Sequence, residues 1–269
     1  MRYPLLFAIP LVCLLASSVP AQQQVPASSA PPDATNSTMT PRQTAELRAD
    51  ILMARKEFPD AIRAYDQILK ESPNDAEVLN KVGVAYQQLI DLNRAEHYYK
   101  RAVKADKSFA SAINNVGTVE YEKKHWGKAI GYYKKALDVR TDMASVYVNL
   151  AYAYIEDKKY PEAMDTFGKA LQVDPTVFES KGGNGAVVQQ RNTSDPGLLD
   201  FFIAKTYALA GNAERTAHYL KRARDGGYKD LASVTKDPAF AKVIKDPRVQ
   251  EVLTVTPSYE AEGRKSTSN

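Results

Sequence analysis

The chain has 269 residues, of which 44% are hydrophobic and 25% are charged, with 13 glycines and 15 prolines. Its formal net charge is +4 and its mean hydropathy is −0.42. This composition is that of ordinary soluble proteins, and it excludes disorder throughout the chain and a membrane protein with several spans. The length allows one or two compact domains, or one elongated array of repeats.

The first 21 residues have the pattern of an export signal. Arg2 provides a positive start, an apolar run extends from Leu5 to Leu15, and the small residues before Gln22 suit cleavage. The run is shorter than the about 20 residues needed to cross a bilayer. We therefore predict a signal peptide over residues 1–21 and an exported protein, periplasmic or extracellular. A signal that stays uncleaved as an anchor is the alternative.

The only cysteine, Cys13, lies inside this signal, so the mature chain would contain neither a disulfide nor a thiol nucleophile. Lipid attachment at Cys13 is disfavoured because Val12 stands where bacterial lipoprotein signals have a small residue. Residues 22–40 are rich in Gln, Pro, Ser and Ala and lack apolar periodicity, which predicts a disordered linker. A helix is predicted to follow Thr40, whose side chain can form a capping box with Gln43.

Small and aromatic residues recur at a spacing of 34 positions between residues 41 and 175. Within each copy the apolar residues are spaced as on one face of a helix, so each copy is predicted to be a helix pair. Pro73 and Pro175 share one offset, at which they would end the second helix. The recurring positions include Ala49, Gly83, Gly117 and Ala151 in the first helices, and Ala61, Ala95, Ala129, Ala163, Tyr65, Tyr99, Tyr133 and Phe167 in the second helices.

This pattern resembles the tetratricopeptide repeat. The resemblance implies four repeats over residues 41–175 and an all-α fold, a right-handed α-solenoid of helix-turn-helix repeats with a short helical C-terminal cap. It also implies a binding role and no particular chemistry. The copy at 110–143 departs from the signature in having Glu120 where Tyr is usual. One copy carries the signature on Leu79, Val82, Gly83, Tyr86, Ala95, Tyr99 and Ala102.

The C-terminal third interrupts the regular spacing. Residues 176–196 include a Gly-rich run, which predicts an insert loop. The motif of a phosphate-binding loop is absent, so this loop is predicted to be structural. Residues 197–225 predict a degenerate fifth repeat. Residues 226–254 resemble the terminal segment of tetratricopeptide end-of-group proteins and predict capping helices that begin at Asp-Pro pairs. Residues 255–269 predict a flexible tail.

The sequence has no pattern of catalytic or metal-binding residues. Its histidines are His97, His125 and His218, which lack close His-x-x-x-His spacing and have no cysteine nearby. We therefore predict no enzyme, no metal, no cofactor and no small-molecule substrate. Paired lysines such as Lys123-Lys124 lie beside acidic residues and the pI is 8.9, so no nucleic-acid partner is predicted. A peripheral contact with an anionic envelope surface stays open.

The first helices of this family line its concave face, where residues not needed for packing can contact a ligand. Asn115 and Asn149 are 34 residues apart and are expected to project the same way from adjacent repeats. This resembles the asparagine ladder of O-linked N-acetylglucosamine transferases, which holds an extended peptide by its backbone. The alternative is that these amides bond the backbone of neighbouring helices. The candidate peptide-binding residues are Lys81, Asn114, Asn115, Thr118, Tyr121, Asn149 and Tyr152.

Together these features predict a non-catalytic protein–protein interaction scaffold of the periplasm or cell envelope. It would bind an extended peptide segment of another protein in its concave groove. An acidic segment or a terminal carboxylate is the expected ligand because Lys81 would supply a positive charge. The alternative function is that of a structural or assembly subunit that uses its convex face within an envelope complex.

Overall fold

The computed structural model describes residues 39–179 and 195–254. The predicted signal peptide, almost all of the linker, most of the insert loop and the C-terminal tail lie outside these residues. The described part consists of α-helices, two short 3₁₀ turns and connecting loops, and it contains no strand.

Four helix pairs occupy residues 41–173. The two helices of each pair pack together, and the second helix of each pair packs on the first helix of the next. This arrangement confirms the predicted α-solenoid. The helices are α1 (Pro41–Ala54), α2 (Phe58–Glu71), α3 (Ala76–Gln88), α4 (Leu92–Ala105), α5 (Ala110–Glu122), α6 (Trp126–Val139), α7 (Ala144–Glu156) and α8 (Tyr160–Val173).

The first helix begins with the capping box that the sequence predicts. The Gln43 backbone N–H donates to Thr40 Oγ1 at 3.2 Å, and the Thr40 backbone N–H donates to Gln43 Oε1 at 2.8 Å. Pro41 takes the first helical position, where its missing N–H costs nothing. At the other end of the pair, α2 stops just before Pro73, and α8 stops in the same way before Pro175.

One turn geometry connects the two helices of every pair. In the first pair, the Lys56 N–H donates to Met53 O and the Glu57 N–H donates to Leu52 O, both at 2.9 Å. These two bonds form a Schellman motif, which requires a left-handed residue after the helix. In the first four pairs these left-handed residues are 34 positions apart: Lys56 (φ 62°), Ile90 (φ 60°), Lys124 (φ 62°) and Lys158 (φ 59°). In a fifth pair the residue is Gly211 (φ 77°).

Close contact between paired helices depends on the small residues of the first helix. A Cβ atom added at Gly83 would lie 2.6 Å from the Tyr99 ring, and one added at Gly117 would lie 2.8 Å from the Tyr133 ring. Both tyrosines are 0% exposed. The aromatic ring of the second helix therefore fills the space that the glycine leaves open.

A fifth pair and a short terminal segment follow the insert. They consist of α9 (Pro196–Leu209), α10 (Ala213–Asp225), the 3₁₀ turns Leu231–Thr235 and Pro238–Phe240, and α11 (Pro247–Thr254). The second 3₁₀ turn packs on α9, and α11 packs on α10. Of the two Asp-Pro steps, only the one at Pro247 begins an α-helix, while the one at Pro238 begins a single 3₁₀ turn.

Candidate functional site

A row of asparagine side chains connects the first helices of three successive repeats. Asn149 Nδ2 on α7 donates to Asn114 Oδ1 on α5 at 3.1 Å, and Asn114 Nδ2 donates to the adjacent Asn115 Oδ1 at 3.1 Å. Asn115 Nδ2 in turn donates to Asn80 Oδ1 on α3 at 2.9 Å. The amides therefore bond one another across the repeats, rather than the helix backbones, and we call these four residues the amide row.

The amide row differs from the ladder that the sequence suggested. Its bonds between helices join residues 35 positions apart, so Asn149 pairs with Asn114 and not with the residue at its own offset. Asn149 is 0% exposed and Asn114 is 6% exposed, whereas Asn115 and Asn80 are half-buried. Asn115 and Asn149 make equivalent bonds, each to the residue 35 positions before it, but Asn149 is buried, so only the Asn80–Asn115 end of the row reaches the surface.

Three further residues predicted to contact a peptide also lie inside the protein. Thr118, Tyr121 and Tyr152 are between 1% and 4% exposed. The Thr118 hydroxyl donates to Asn114 O at 3.2 Å. Burial raises the pKa of the Tyr121 hydroxyl, and the nearby Glu156 carboxylate raises it further. These side chains support the first helices from within, so they cannot touch a ligand in this conformation.

Lys81 is half-buried and already carries its counter-ions. Its Nζ atom lies 2.7 Å from Glu46 Oε1 and 2.9 Å from both carboxylate oxygens of Asp50, on α1. Burial lowers the pKa of Lys81, but the two carboxylates outweigh this effect and raise it above its usual value. Tyr65 also donates to Asp50. The positive charge expected to attract an acidic ligand is therefore neutralised within the protein.

A second polar contact lies nearer the C-terminal ends of these helices. Tyr99 Oη donates to Gln87 Oε1 at 2.7 Å, and Gln87 Nε2 donates to Glu122 Oε1 at 2.6 Å. Burial raises the pKa of Glu122, and the bond from Gln87 opposes this shift. Like the amide row, this contact joins α3 to α5 at a separation of 35 residues. Sequence reasoning missed it because Gln87 does not recur at a spacing of 34.

A groove that the sequence did not reveal lies between the second helices α6 and α8, over α7. Its cavity volume is about 610 Å³. Leu137, Leu150 and Tyr154 form an apolar floor and are between 5% and 8% exposed. Lys134 Nζ lies 5.7 Å from the centre of the Tyr154 ring, a cation–π contact. We call this feature the α6–α8 groove.

The described residues contain no group of three side chains that could hold a metal ion. In the same residues, no helix is long and apolar enough to cross a membrane. His125 Nδ1 lies 2.7 Å from Glu120 Oε2, but this pair stands at a turn between helices, and half of the histidine side chain is in solvent. His97 and His218 are exposed on second helices.

The fold, with the amide row on its first helices and the α6–α8 groove on its second helices, defines a helical-repeat protein whose surfaces are built by successive helix pairs. A family model described as tetratricopeptide repeat matches residues 46–108 and 83–145, and a second model of the same description matches residues 144–177. The chain is therefore a tetratricopeptide repeat protein over residues 46–177. A search of curated protein sequences finds no significant match.

Solved structures of other proteins share this fold. One, described as a functional characterization of Pseudomonas aeruginosa pilF, has 17% identity and a TM-score of 0.53, covering 84% of this chain and 91% of that one. MamA 41-end from Desulfovibrio magneticus RS-1 has 16% identity and a TM-score of 0.50, covering 68% and 93%. A MamA RS-1 double mutant has 17% identity and a TM-score of 0.50, covering 85% and 97%. At these identities the likeness concerns the fold alone.

Proposed function

We propose that this protein is an exported, non-catalytic scaffold that binds an extended segment of another protein along its first helices. The family supports the general role, because tetratricopeptide repeats bind other proteins or peptides. The half-buried end of the amide row, Asn80 and Asn115, is the observation that favours the first-helix face as the binding surface. Asn80 Nδ2 donates no hydrogen bond to another described residue, although Asn80 Oδ1 accepts one from Asn115.

This end of the row suits a peptide backbone. A side-chain amide has both donors and acceptors, so it can pair with a peptide unit regardless of the ligand's side chains. The internal bonds fix the orientation of Asn115 before any ligand arrives, which lowers the entropy lost on binding. Because Lys81 is neutralised by Glu46 and Asp50, the ligand needs no negative charge. Backbone recognition therefore replaces the acidic ligand that the sequence suggested.

Site-specific photo-crosslinking tests which face is used. A benzoylphenylalanine at Ser111, one turn before Asn115 on α5, should capture a partner in cells. The same probe at Lys135, exposed on α6, should not capture that partner. Replacing Asn80 and Asn115 together by alanine should weaken capture roughly 5- to 150-fold, as expected for two hydrogen bonds. Asn74→Ala, at an exposed turn residue, is the control and should leave capture unchanged.

Crosslinks from Lys135 alone would place the partner on the second helices. That result would favour the alternative function, a structural or assembly subunit that uses its outer face. The α6–α8 groove is the observation that keeps this alternative open, since it is an indentation of about 610 Å³ on that face. Unchanged capture by the double alanine variant, with intact helicity, would likewise contradict binding along the first helices.

The proposed location rests on the sequence of the first 21 residues. Fractionation of cells and N-terminal sequencing of the mature chain would test it. We expect the protein outside the cytoplasm, with Gln22 as its first residue. An intact Met1 on a protein recovered from the cytoplasm would contradict export.

A further inference from the structure

The α6–α8 groove exists because one aromatic side chain of the repeat is replaced by a small one. In the second repeat, the rings of Tyr86 on α3 and Tyr98 on α4 stack with their centres 5.4 Å apart. The residues 68 positions later are Tyr154 on α7 and Thr166 on α8. The fourth repeat thus keeps the first ring and replaces the second by a hydroxyl side chain.

The second repeat shows what this space accepts. Its two stacked rings are covered by guanidinium groups, since Arg94 lies 4.7 Å from the centre of the Tyr86 ring and Arg101 lies 5.2 Å from that of Tyr98. An aromatic ring next to a cation is therefore an arrangement that this site of the repeat supports. Such stacked and cation–π contacts are favourable beyond the apolar area that they bury.

In the fourth repeat a carboxylate replaces one of these two cations, while Lys169 keeps a positive charge at the position of Arg101. Glu162 stands at the position that corresponds to Arg94, and Asp138 lies on the other side of the groove. Neither carboxylate forms an ion pair with another described side chain, although Glu162 acts at longer range on Lys159. By contrast, Asp165 at the same rim is neutralised by Lys169 at 2.7 Å. The rim therefore has two carboxylates that an incoming cation can pair with.

We propose that the α6–α8 groove binds a segment of a partner protein in which an aromatic residue adjoins an arginine or a lysine. The partner's ring stacks on Tyr154 over the apolar floor, in the volume that Thr166 leaves open. The partner's cation pairs with Glu162 and Asp138 at the rim. Lys134, an exposed side chain, moves aside from the Tyr154 ring. This site lies on the second helices and is independent of the amide row.

Short peptides provide a direct test on the full chain labelled with ¹⁵N. Acetyl-Arg-Tyr-Arg-amide should shift the amide resonances of α6, α7 and α8 in a saturable manner. Acetyl-Arg-Ala-Arg-amide lacks the ring, and acetyl-Glu-Tyr-Glu-amide has the opposite charge. Each should bind at least about tenfold more weakly, since stacking and charge pairing each contribute to affinity. Equal binding of the alanine peptide would overturn the proposal.

Two variants separate the groove from the rest of the surface. Thr166→Tyr supplies the ring that Tyr98 supplies in the second repeat, so it should fill the groove and abolish the shifts. Lys135→Tyr adds the same ring to α6 outside the groove and should leave binding unchanged. Unaltered binding to a folded Thr166→Tyr protein would overturn the proposal.

A charge reversal covers the case in which Thr166→Tyr does not fold. Glu162→Arg lies on the exposed rim and restores the residue type found at position 94, so it should weaken binding of the arginine peptide about tenfold by repulsion. Asp60→Arg, at the same offset in the first repeat, makes the same change of charge far from the groove and is the control. If both reversals had the same effect, the binding would reflect net charge, and the groove would not be the site. Neither outcome bears on the first-helix face.

Discussion

At the scale of single residues, the left-handed position in each helix-pair turn shows how local strain is distributed. Lysine occupies this position in three pairs and glycine in the fifth, but the second pair has Ile90, with φ of 60° and 82% of its surface exposed. A β-branched residue is unfavourable in this conformation because its Cβ substituents crowd the backbone. Ile90 therefore adds strain without burying apolar surface in return.

Replacing Ile90 by glycine should stabilise the protein. Relief of the strained φ outweighs the greater entropy of glycine in the unfolded chain, so the free energy of unfolding should rise by about 1 kcal/mol. Urea unfolding followed by circular dichroism measures it. Leu89→Gly is the control, because Leu89 is also exposed but has an ordinary φ of −82°, and it should destabilise. A loss of stability in Ile90→Gly would show that Ile90 makes a contact worth more than its strain.

Asp200 on α9 is a residue whose burial gives the stability a pH dependence. It is 6% exposed, and Arg222 Nη2 lies 3.0 Å from its Oδ1 atom. Burial raises its pKa from 3.8 to about 6, while Arg222 opposes the shift. Between pH 3.8 and about pH 6, Asp200 in the folded protein therefore holds a proton that the unfolded chain has released. The Asp200 contribution therefore falls as the pH rises from about 4 to about 6 and is constant above that range.

Asp200→Asn should remove this contribution. The stability difference between variant and parent should change in favour of the variant between pH 4 and pH 6, by at most about 3 kcal/mol. Urea unfolding at several pH values measures it. Arg222→Gln should extend the decline above pH 6, because it removes the cation that lowers the carboxyl pKa. Parallel pH profiles of Asp200→Asn and the parent would contradict a raised pKa.

At the scale of elements, the approach of paired helices depends on one atom. Gly83 lies against the Tyr99 ring, and there is no room for a Cβ between α3 and α4. The equivalent residues Ala49 and Ala151 carry that Cβ and are 0% exposed, so the spacing of helices is adjusted pair by pair. The ring and the small residue act as one packing unit in each repeat.

Gly83→Ala should therefore destabilise the protein, by about 1–3 kcal/mol, because the buried Tyr99 ring must shift. Gly131→Ala is the matched control. Gly131 lies inside α6 with nothing within 4 Å of an added Cβ, so alanine there should stabilise by about 0.5–1 kcal/mol through its better helix propensity. Thermal or urea unfolding distinguishes the two. Equal effects would mean that propensity alone, and not the contact with Tyr99, decides the outcome at Gly83.

The helix pairs could be predicted from the sequence because their signals are local. Positions 34 apart fix the period, and the capping box at Thr40 and Gln43 marks where α1 begins. The partners of the amide row could not be predicted in the same way. They are joined at a separation of 35 residues, because side chains lean along the helix and the next helix is offset. A spacing of 34 therefore finds equivalent residues but not touching ones.

At the scale of the whole helical array, from α1 to α11, the terminal segment closes one end of the apolar core. Phe240 and Val249 are 0% exposed and belong to the same buried cluster as α9 and α10. The Phe240 and Phe201 ring centres are 6.0 Å apart. Lys205 and Asp237 add an ion pair of 2.7 Å between α9 and this segment. The last repeat of a solenoid has no successor, so such a cover is needed for solubility.

Truncation after Asp225 should lower the melting temperature and cause aggregation, because it exposes the apolar surfaces of α9 and α10. Phe240→Ala tests the same cover with a single change and should cost about 3–5 kcal/mol through the cavity that it leaves. Lys236→Ala, at an exposed residue of the same segment, is the control and should have little effect. A truncated protein as soluble and stable as the parent would mean that residues 226–254 have another role.

The sequence by itself determined the repeat, its helix pairs and the family, since each depends on residue types at fixed spacings along one chain. Only the tertiary structure decided which polar residues reach the surface. Asn115 and Asn149 share an offset, yet Asn149 is 0% exposed and Asn115 is half-buried, because burial depends on the neighbouring helices. The α6–α8 groove arises in the same way, since a threonine at position 166 opens a cavity only where three helices meet around it.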